Sequence, residues 1–203
     1  MLEQIKGRVR FVKKQKKYLR KLRPWIGKNW ELKDSEIVQM KKYIRILLER
    51  LQDNKCAYCG LPFKETSNSE IEHIAPKVSN PQFTFTPLNL ALACHLCNGP
   101  IKKGRKQTIT ILHRNYRLCS FLIVHPYLDN PNAHFKWIPN GHKILISSRS
   151  AKGEESIKMF KLDNSAHSEA RARLVYYEYN KIEDKQMEMI LKKALEYKGT
   201  SPC

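Results

Sequence analysis

Two Cys-x-x-Cys pairs carry the first chemistry in this sequence: Cys56-Ala57-Tyr58-Cys59 and Cys94-His95-Leu96-Cys97, with 34 residues between them. Each pair can form a tight knuckle that aims two thiolates at one ion, and two knuckles complete the closed tetrahedral shell that a structural zinc prefers. The spacing predicts a Zn²⁺ held by Cys56, Cys59, Cys94 and Cys97; the other arrangements it permits are two buried knuckles without metal or a pair of disulfides. Cys119 and Cys203 stand outside the set and read as a core thiol and a tail thiol. His95 lies inside the second knuckle but is not needed as a ligand once four cysteines fill the shell. Between the pairs lies Glu72-His73-Ile74-Ala75-Pro76, then Asn89-Leu90, and Asn98 directly follows the last cysteine.

These residues need elements to hold them. Asp34 or Ser35 is suited to cap a helix, and Ile37, Met40, Ile44, Leu47, Leu48 and Leu51 recur at helical spacing until Asp53-Asn54, which predicts an amphipathic helix over 35–52. Residues 1–24 show mixed helical periodicity interrupted at Pro24, and part of this arm is expected to order only on meeting a partner. From Cys56 to Lys106 the turn punctuation at Gly60, Pro62, Pro76, Pro81 and Pro87 fits a small, loop-rich, metal-braced unit. Beyond it, Thr108 to Val124 is rich in β-branched and aromatic residues and reads as a strand and a helix that the pattern does not separate. Ile144-Leu145-Ile146 and Ile157-Lys158-Met159-Phe160 read as short strands, with Gly141 and Gly153 marking turns. Ser165 or Ser168 can cap a closing helix over 168–196 whose inward face is Ala170, Leu174, Tyr177, Ile190 and Ala194. The expected architecture is α+β in three parts: a basic helical region over 1–52, the metal-braced core over 53–106, and a C-terminal α+β region over 107–203 ending in a long helix.

The charge is strongly one-sided. The 203 residues include 38 Lys or Arg against 19 Asp or Glu, a formal net charge of +19. The excess is concentrated at the start, where residues 1–50 hold 16 basic and 5 acidic side chains. A block of this kind attracts polyanions and releases condensed counterions when it neutralises phosphates. Lys13, Lys14, Lys16 and Lys17, with Tyr18, Trp25 and Trp30 nearby, suit phosphate contacts plus stacking, so nucleic acid is the expected partner. Between Glu72 and Asp129 there is no acid at all, while Lys77, Lys102, Lys103, Arg105, Lys106, Arg114 and Arg117 fall in that interval. No apolar run approaches the roughly 20 residues needed to span a bilayer. The N-terminus lacks the apolar core and cleavage site of a secretory signal. A soluble, cytoplasmic protein with no membrane partner is expected.

The order of the motifs (Cys pair, Glu-His-Ile-Ala-Pro, Asn-Leu, Cys-x-x-Cys-Asn) resembles the HNH endonuclease family over about residues 53–106. The resemblance implies a ββα-metal finger in which His73 takes a proton from water while its other ring nitrogen is held by a backbone carbonyl from near Asn89, whose side chain braces the loop. It implies Glu72 and Asn98 as hard oxygen ligands of a catalytic Mg²⁺ or similar divalent cation, with the zinc purely structural. The acid-free interval agrees with one catalytic metal, because Glu72 is the only carboxylate in that central stretch. Many zinc-containing members place a Lys three residues after the final Asn; here Lys102-Lys103 is displaced by one residue, and this pair, with Arg105 and Lys106, is expected to bind phosphate. The implied activity is hydrolysis of DNA phosphodiesters leaving 5′ phosphates and 3′ hydroxyls, with weak sequence specificity because no base-reading helix is evident. RNA is a further candidate substrate, and a noncatalytic zinc-ribbon nucleic-acid-binding protein is the alternative from another class. The helix before Cys56 and the segment His125-Pro126-Tyr127-Leu128-Asp129-Asn130-Pro131 with His134-Phe135 are also similar to bacterial HNH proteins that accompany retron or Septu-type defence ATPases. That similarity implies an antiviral effector with an ATPase partner. The same segment, read by its residues alone, is a pair of turns in which His125 and His134 are not catalytic.

Overall fold

The helix expected over 35–52 forms as α2 (Ser35–Leu51) in a computed structural model that describes residues 2–63, 68–99, 103–138, 143–179 and 189. The Asp34 side chain accepts from the Ile37 N–H at 3.0 Å, satisfying one of the first-turn donors that a helix leaves unpaired. Glu36 in the first turn and Arg50 in the last complement the helix dipole. Ile37, Met40, Ile44 and Leu48 form the buried stripe. Ahead of it, α1 (Lys13–Lys21) buries only Leu19, and its lysines stay in solvent.

Residues 2–11 depart from the expectation of an arm awaiting a partner. Leu2, Ile5, Val9 and Phe11 are buried in the core, the Ile5 N–H donates to the Pro126 carbonyl at 2.9 Å, and Gln4 Nε2 donates to the Tyr127 carbonyl at 2.8 Å. Apolar residues two to four apart among cations anchor an extended segment as effectively as a helical one, and the core supplies their burial.

The centre of the chain is a short ββα unit. Strand β1 (Ser69–His73) pairs antiparallel with β2 (Leu90–Cys94), from Ser69 opposite Cys94 to His73 opposite Leu90. The chain then passes from Cys94 directly into α3 (His95–Asn98). Every residue of β2 is buried. Beside it, the Gln52 side-chain amide mimics a strand, donating to the Leu92 carbonyl at 2.9 Å and accepting its N–H at 2.8 Å. The helix α2 is thereby tied to the strand that leads into the second cysteine knuckle.

The C-terminal region adds two more two-stranded sheets among the described residues. Thr108–Val124 resolves into β3 (Ile109–Ile111) and β4 (Ser120–Phe121) joined through a single 3-10 turn, with no α-helix. Then follow α4 (Pro131–His134), β5 (Phe135–Ile138) paired with β6 (Leu145–Ser148), α5 (Ala151–Phe160) and α6 (Ser165–Tyr179). The expected strand at Ile157–Phe160 is instead the last turn of α5, and Gly153 lies inside that helix, not at a turn. The closing helix begins at Ser165; Ile190, Ala194, Cys203, Gly141 and the side chain of Tyr177 lie outside the described residues. One hydrophobic cluster runs from Leu2 through Ile44, Leu92 and Phe121 to Ala170. Among the described residues no helix is long and apolar enough to cross a membrane.

Candidate functional site

The four cysteines converge. The turn after α2 presents Cys56 and Cys59, the β2–α3 junction presents Cys94 and Cys97, and all four sulfurs are buried within 4.8 Å of one another. The Cys59 and Cys94 Sγ atoms are 3.8 Å apart, far beyond an S–S bond and close to the separation of about 3.8 Å that a tetrahedral site with Zn–S bonds of about 2.3 Å requires. All four are free thiols. The neighbouring thiols of Cys56, Cys59 and Cys97 push Cys94 down, whereas burial holds Cys59 well above its ordinary value and the neighbouring sulfurs do the same to Cys97. Four buried, unbonded sulfurs within 4.8 Å of one another form the closed donor set that Zn²⁺ takes.

Two residues absent from the sequence reading surround this centre. His167 is fully buried; its Nε2 lies 3.6 Å from Cys97 Sγ while Nδ1 faces the Lys161 carbonyl at 3.0 Å and Asn164 Oδ1 at 2.9 Å. Arg171, one helical turn further along α6, is 1% exposed, donates from Nη1 to the Leu162 carbonyl at 2.8 Å, and has no partner at Nε or Nη2. Burial lowers its pKa and the nearby Cys59 and Cys97 raise it. This buried cation, which also lies 5.2 Å over the Trp137 ring, sits in the field of Cys59 and Cys97 and suits the net negative charge that a zinc tetrathiolate would carry. The signal in the sequence was a His and an Arg at i, i+4 beside Ala170 and Leu174.

His73 ends β1, and its ring Nε2 lies 3.0 Å from the Thr84 carbonyl. A carbonyl oxygen only accepts, so Nε2 carries the proton and the Nδ1 lone pair is left for chemistry. Burial, together with the Lys77, Lys103 and Lys41 cations, pushes its pKa down to about 3, which keeps the ring neutral. The Trp30 ring packs edge-on against it with centroids 4.6 Å apart. The carbonyl comes from Thr84, five residues before Asn89. Asn89 holds the loop that presents it: Nδ2 donates to the Phe83 carbonyl at 3.0 Å and the Ala75 carbonyl at 3.1 Å, and Oδ1 accepts from the Ala75 N–H at 2.6 Å. Oδ1 also accepts from the Tyr116 hydroxyl at 2.9 Å, whose oxygen lies 3.0 Å from His125 Nε2. Since His125 Nδ1 accepts the Tyr127 N–H, its Nε2 donates to Tyr116. His125 is thus a buried structural prop at the start of the turn whose Leu128 and Asp129 N–H groups its carbonyl accepts.

Glu72 is buried, and its carboxylate is ion-paired with Lys103, which also donates to the His73 carbonyl at 2.9 Å. Burial raises the Glu72 carboxyl and the Lys103 ammonium opposes that shift. Lys103 is therefore 1% exposed, not a solvent-facing phosphate hook; Lys102 lies outside the described residues. Asn98 Nδ2 donates to Glu70 Oε2 at 2.7 Å, and His95 Nδ1 lies 3.1 Å from Glu70 Oε1. Glu70 precedes the acid-free interval and escaped notice there, yet it shares a strand face with Glu72 by the two-residue alternation of β1. Arg105, Lys106 and the α1 lysines Lys13, Lys14, Lys16 and Lys17 are exposed.

A paired ββα unit, a closed cysteine cluster at its hinge and a neutral histidine oriented by a loop carbonyl are the features that meet here, and residues 56–105 match the model of the HNH endonuclease family. Among curated proteins, the chain is 28% identical over 133 residues to a Septu protein PtuB of Bacillus thuringiensis, covering 65% of this chain and 46% of that protein. It is 27% identical over 152 residues to a Septu protein PtuB of Bacillus mycoides strain KBAB4, covering 64% of this chain and 50% of that protein. The chain spans about half the length of these relatives.

Proposed function

We propose that the protein is a metal-dependent endonuclease that hydrolyses DNA phosphodiester bonds with His73 as general base. The observation that carries this reading is the His73 ring itself: neutral, with Nε2 committed to the Thr84 carbonyl, it offers Nδ1 to a water. A histidine held near 3 is a weak base, but the surrounding cations and burial set that value in the free chain, and an arriving anionic phosphate raises it toward neutrality. The donor set suits a hard divalent cation. Asn98 commits its amide nitrogen to Glu70, leaving the carbonyl oxygen as ligand atom, and the buried Glu72 carboxylate already faces a cation in Lys103. A Mg²⁺ held by Glu72 and Asn98 would supply charge stabilisation to the departing 3′ oxygen. Asn89 keeps the Thr84 carbonyl in place, and exposed Arg105 and Lys106 with the α1 lysines add phosphate affinity.

The Septu names of the two relatives, with the resemblance to proteins that accompany defence ATPases, support a further reading: an antiviral effector that works beside an ATPase partner. The three segments 1–52, 53–106 and 107–203 would then serve as substrate-binding, cleaving and partner-facing parts.

The test is cleavage of plasmid and linear DNA by the purified protein with Mg²⁺, beside a His73→Ala variant with intact zinc content and fold. A rate loss of at least about a hundredfold, the scale of a general base, is expected. Equal cutting by both proteins rejects His73 as the base. Binding without cutting by both, with the ATPase partner also added, points to the noncatalytic zinc-ribbon alternative.

A further inference from the structure

A groove of about 380 Å³ lies between the outer face of α2 and β1, lined by Trp30, Lys41, Lys42, Arg45, Glu70 and Ile71. The groove straddles the β1 edge, since its lining takes both Glu70 and Ile71, and Ile71 shares a strand face with His73. Trp30 links the groove to His73: its half-buried ring packs against His73 and Phe85, and the Lys41 ammonium lies over it 5.2 Å from its centroid. Arg45 is held at the strand by hydrogen bonds from Nη1 to the Ser69 carbonyl at 2.5 Å and the Ser69 hydroxyl at 2.6 Å. Three cations thus face one carboxylate, and that carboxylate, Glu70, already accepts from Asn98. Burial, and after it the neighbouring Lys77, hold the Lys41 ammonium below its ordinary value against the opposing pull of Glu31.

We propose that this groove binds a single strand of nucleic acid, with one base packed on Trp30 and flanking phosphates on Lys41, Lys42 and Arg45, and that it delivers the strand to His73. An aromatic face beside a cationic track is the arrangement that holds single strands without reading sequence, because every base has a face to stack and every nucleotide a phosphate. A duplex keeps its base faces stacked inside and offers none to Trp30. The delivery to His73 rests on the nuclease reading; the binding itself does not. The site differs from the one the sequence favoured, since the α1 lysines lie on another helix and the strand-side groove is assembled from Trp30, α2 and β1.

The test is fluorescence anisotropy of a labelled single strand of about 12 nucleotides and a blunt duplex of equal length, without divalent cation and across a salt series. Wild type, Trp30→Leu, a Lys41→Ala/Lys42→Ala/Arg45→Ala triple variant and a Lys13→Ala/Lys14→Ala/Lys16→Ala/Lys17→Ala quadruple variant are compared, each checked for zinc content and circular dichroism. Trp30→Leu is expected to weaken single-strand binding at least about fivefold with the salt slope and duplex affinity unchanged. The triple variant, which removes the three groove cations and with Arg45 its hydrogen bonds to Ser69, is expected to lose at least about tenfold and to reduce the salt slope by about two, from three phosphate contacts at about 0.7 each. Unchanged single-strand affinity in the triple variant, or equal losses for duplex and single strand in Trp30→Leu, overturns the proposal. So does a quadruple variant that alone accounts for the salt slope. If wild type binds as expected but never cuts when Mg²⁺ is restored and the ATPase partner is added, the nuclease reading fails while the groove stands.

Discussion

Asn89 uses all of its side-chain amide: Nδ2 spans the Ala75 and Phe83 carbonyls, and Oδ1 takes the Ala75 N–H and the Tyr116 hydroxyl. Through that amide the Thr84 carbonyl keeps its place under His73, and Tyr116 in turn receives the His125 Nε2–H. Replacing Tyr116 with Phe leaves a buried imidazole N–H without an acceptor and removes one of the donors to Asn89. Each such orphaned group costs about 1–3 kcal/mol, so Tyr116→Phe is expected to lower unfolding free energy by that amount in a denaturant titration, with zinc content unchanged. An unchanged midpoint would mean that the hydroxyl carries no weight. The convergence of Cys56, Cys59, Cys94 and Cys97 was legible in the sequence because side-chain type and short spacing declare metal binding, whereas Glu72, His73, Asn89 and Asn98 stood out only through the motif order that resembles the HNH family, and the roles given to them are proposals. Thr84 was not legible, since any residue can lend a backbone carbonyl. Glu70 and Tyr116 were not, because their roles depend on the β1 face and on a contact with a residue 27 positions away.

Helix α5 shows the same limit at the level of an element. Gly153, with Ile157-Lys158-Met159-Phe160 after it, read as a turn followed by a strand, yet Ser150 caps a helix there through its hydroxyl and Gly153 N–H at 3.1 Å. The glycine is present because α5 crosses the His134 backbone closely: a Cβ at position 153 would fall inside the van der Waals envelope of the His134 carbonyl oxygen. That reason lies in a neighbouring element and leaves no local trace. By contrast α2 was legible almost to the residue, because its cap, its apolar stripe and its stop are all contained within it. Intrinsic propensity alone would favour alanine in a helix interior by about 1 kcal/mol. At this crossing the backbone must move to admit the methyl group, so Gly153→Ala is expected to destabilise the protein by about 1–3 kcal/mol. Thermal unfolding reads the sign directly, and a rise in midpoint would show that α5 can shift away from His134 at no cost.

At the scale of the whole molecule, the four-cysteine cluster is where sequence-distant parts meet, since its sulfurs belong to residues 56–97 while the buried Arg171 of α6 interacts electrostatically with Cys59 and Cys97. Four thiolates around Zn²⁺ carry a net charge of −2, and placing that charge in the core is costly unless a positive group compensates it. Arg171 supplies such a group from a position 1% exposed, where its guanidinium lies 5.2 Å over the Trp137 ring and its Nε and Nη2 have no hydrogen-bond acceptor. The coupling runs both ways. Once the metal leaves and the buried thiolates take up protons, Arg171 is a buried cation without its counter-charge, and the removal of one partner from such a pair typically costs about 3–5 kcal/mol. Chelation of zinc is therefore expected to loosen α6, seen as faster hydrogen exchange over residues 165–179, in the wild type more than in an Arg171→Met variant that has no charge left to strand. The same variant is expected to surrender zinc to a competing chelator at least about tenfold faster than wild type, with Arg171→Lys intermediate because it keeps the charge but not the fork of donors. Equal zinc release from all three proteins would reduce Arg171 to packing. If exchange across α6 proves indifferent to zinc in the wild type, the C-terminal region is held by the hydrophobic cluster alone, and the metal organises only the strand–helix unit that carries His73.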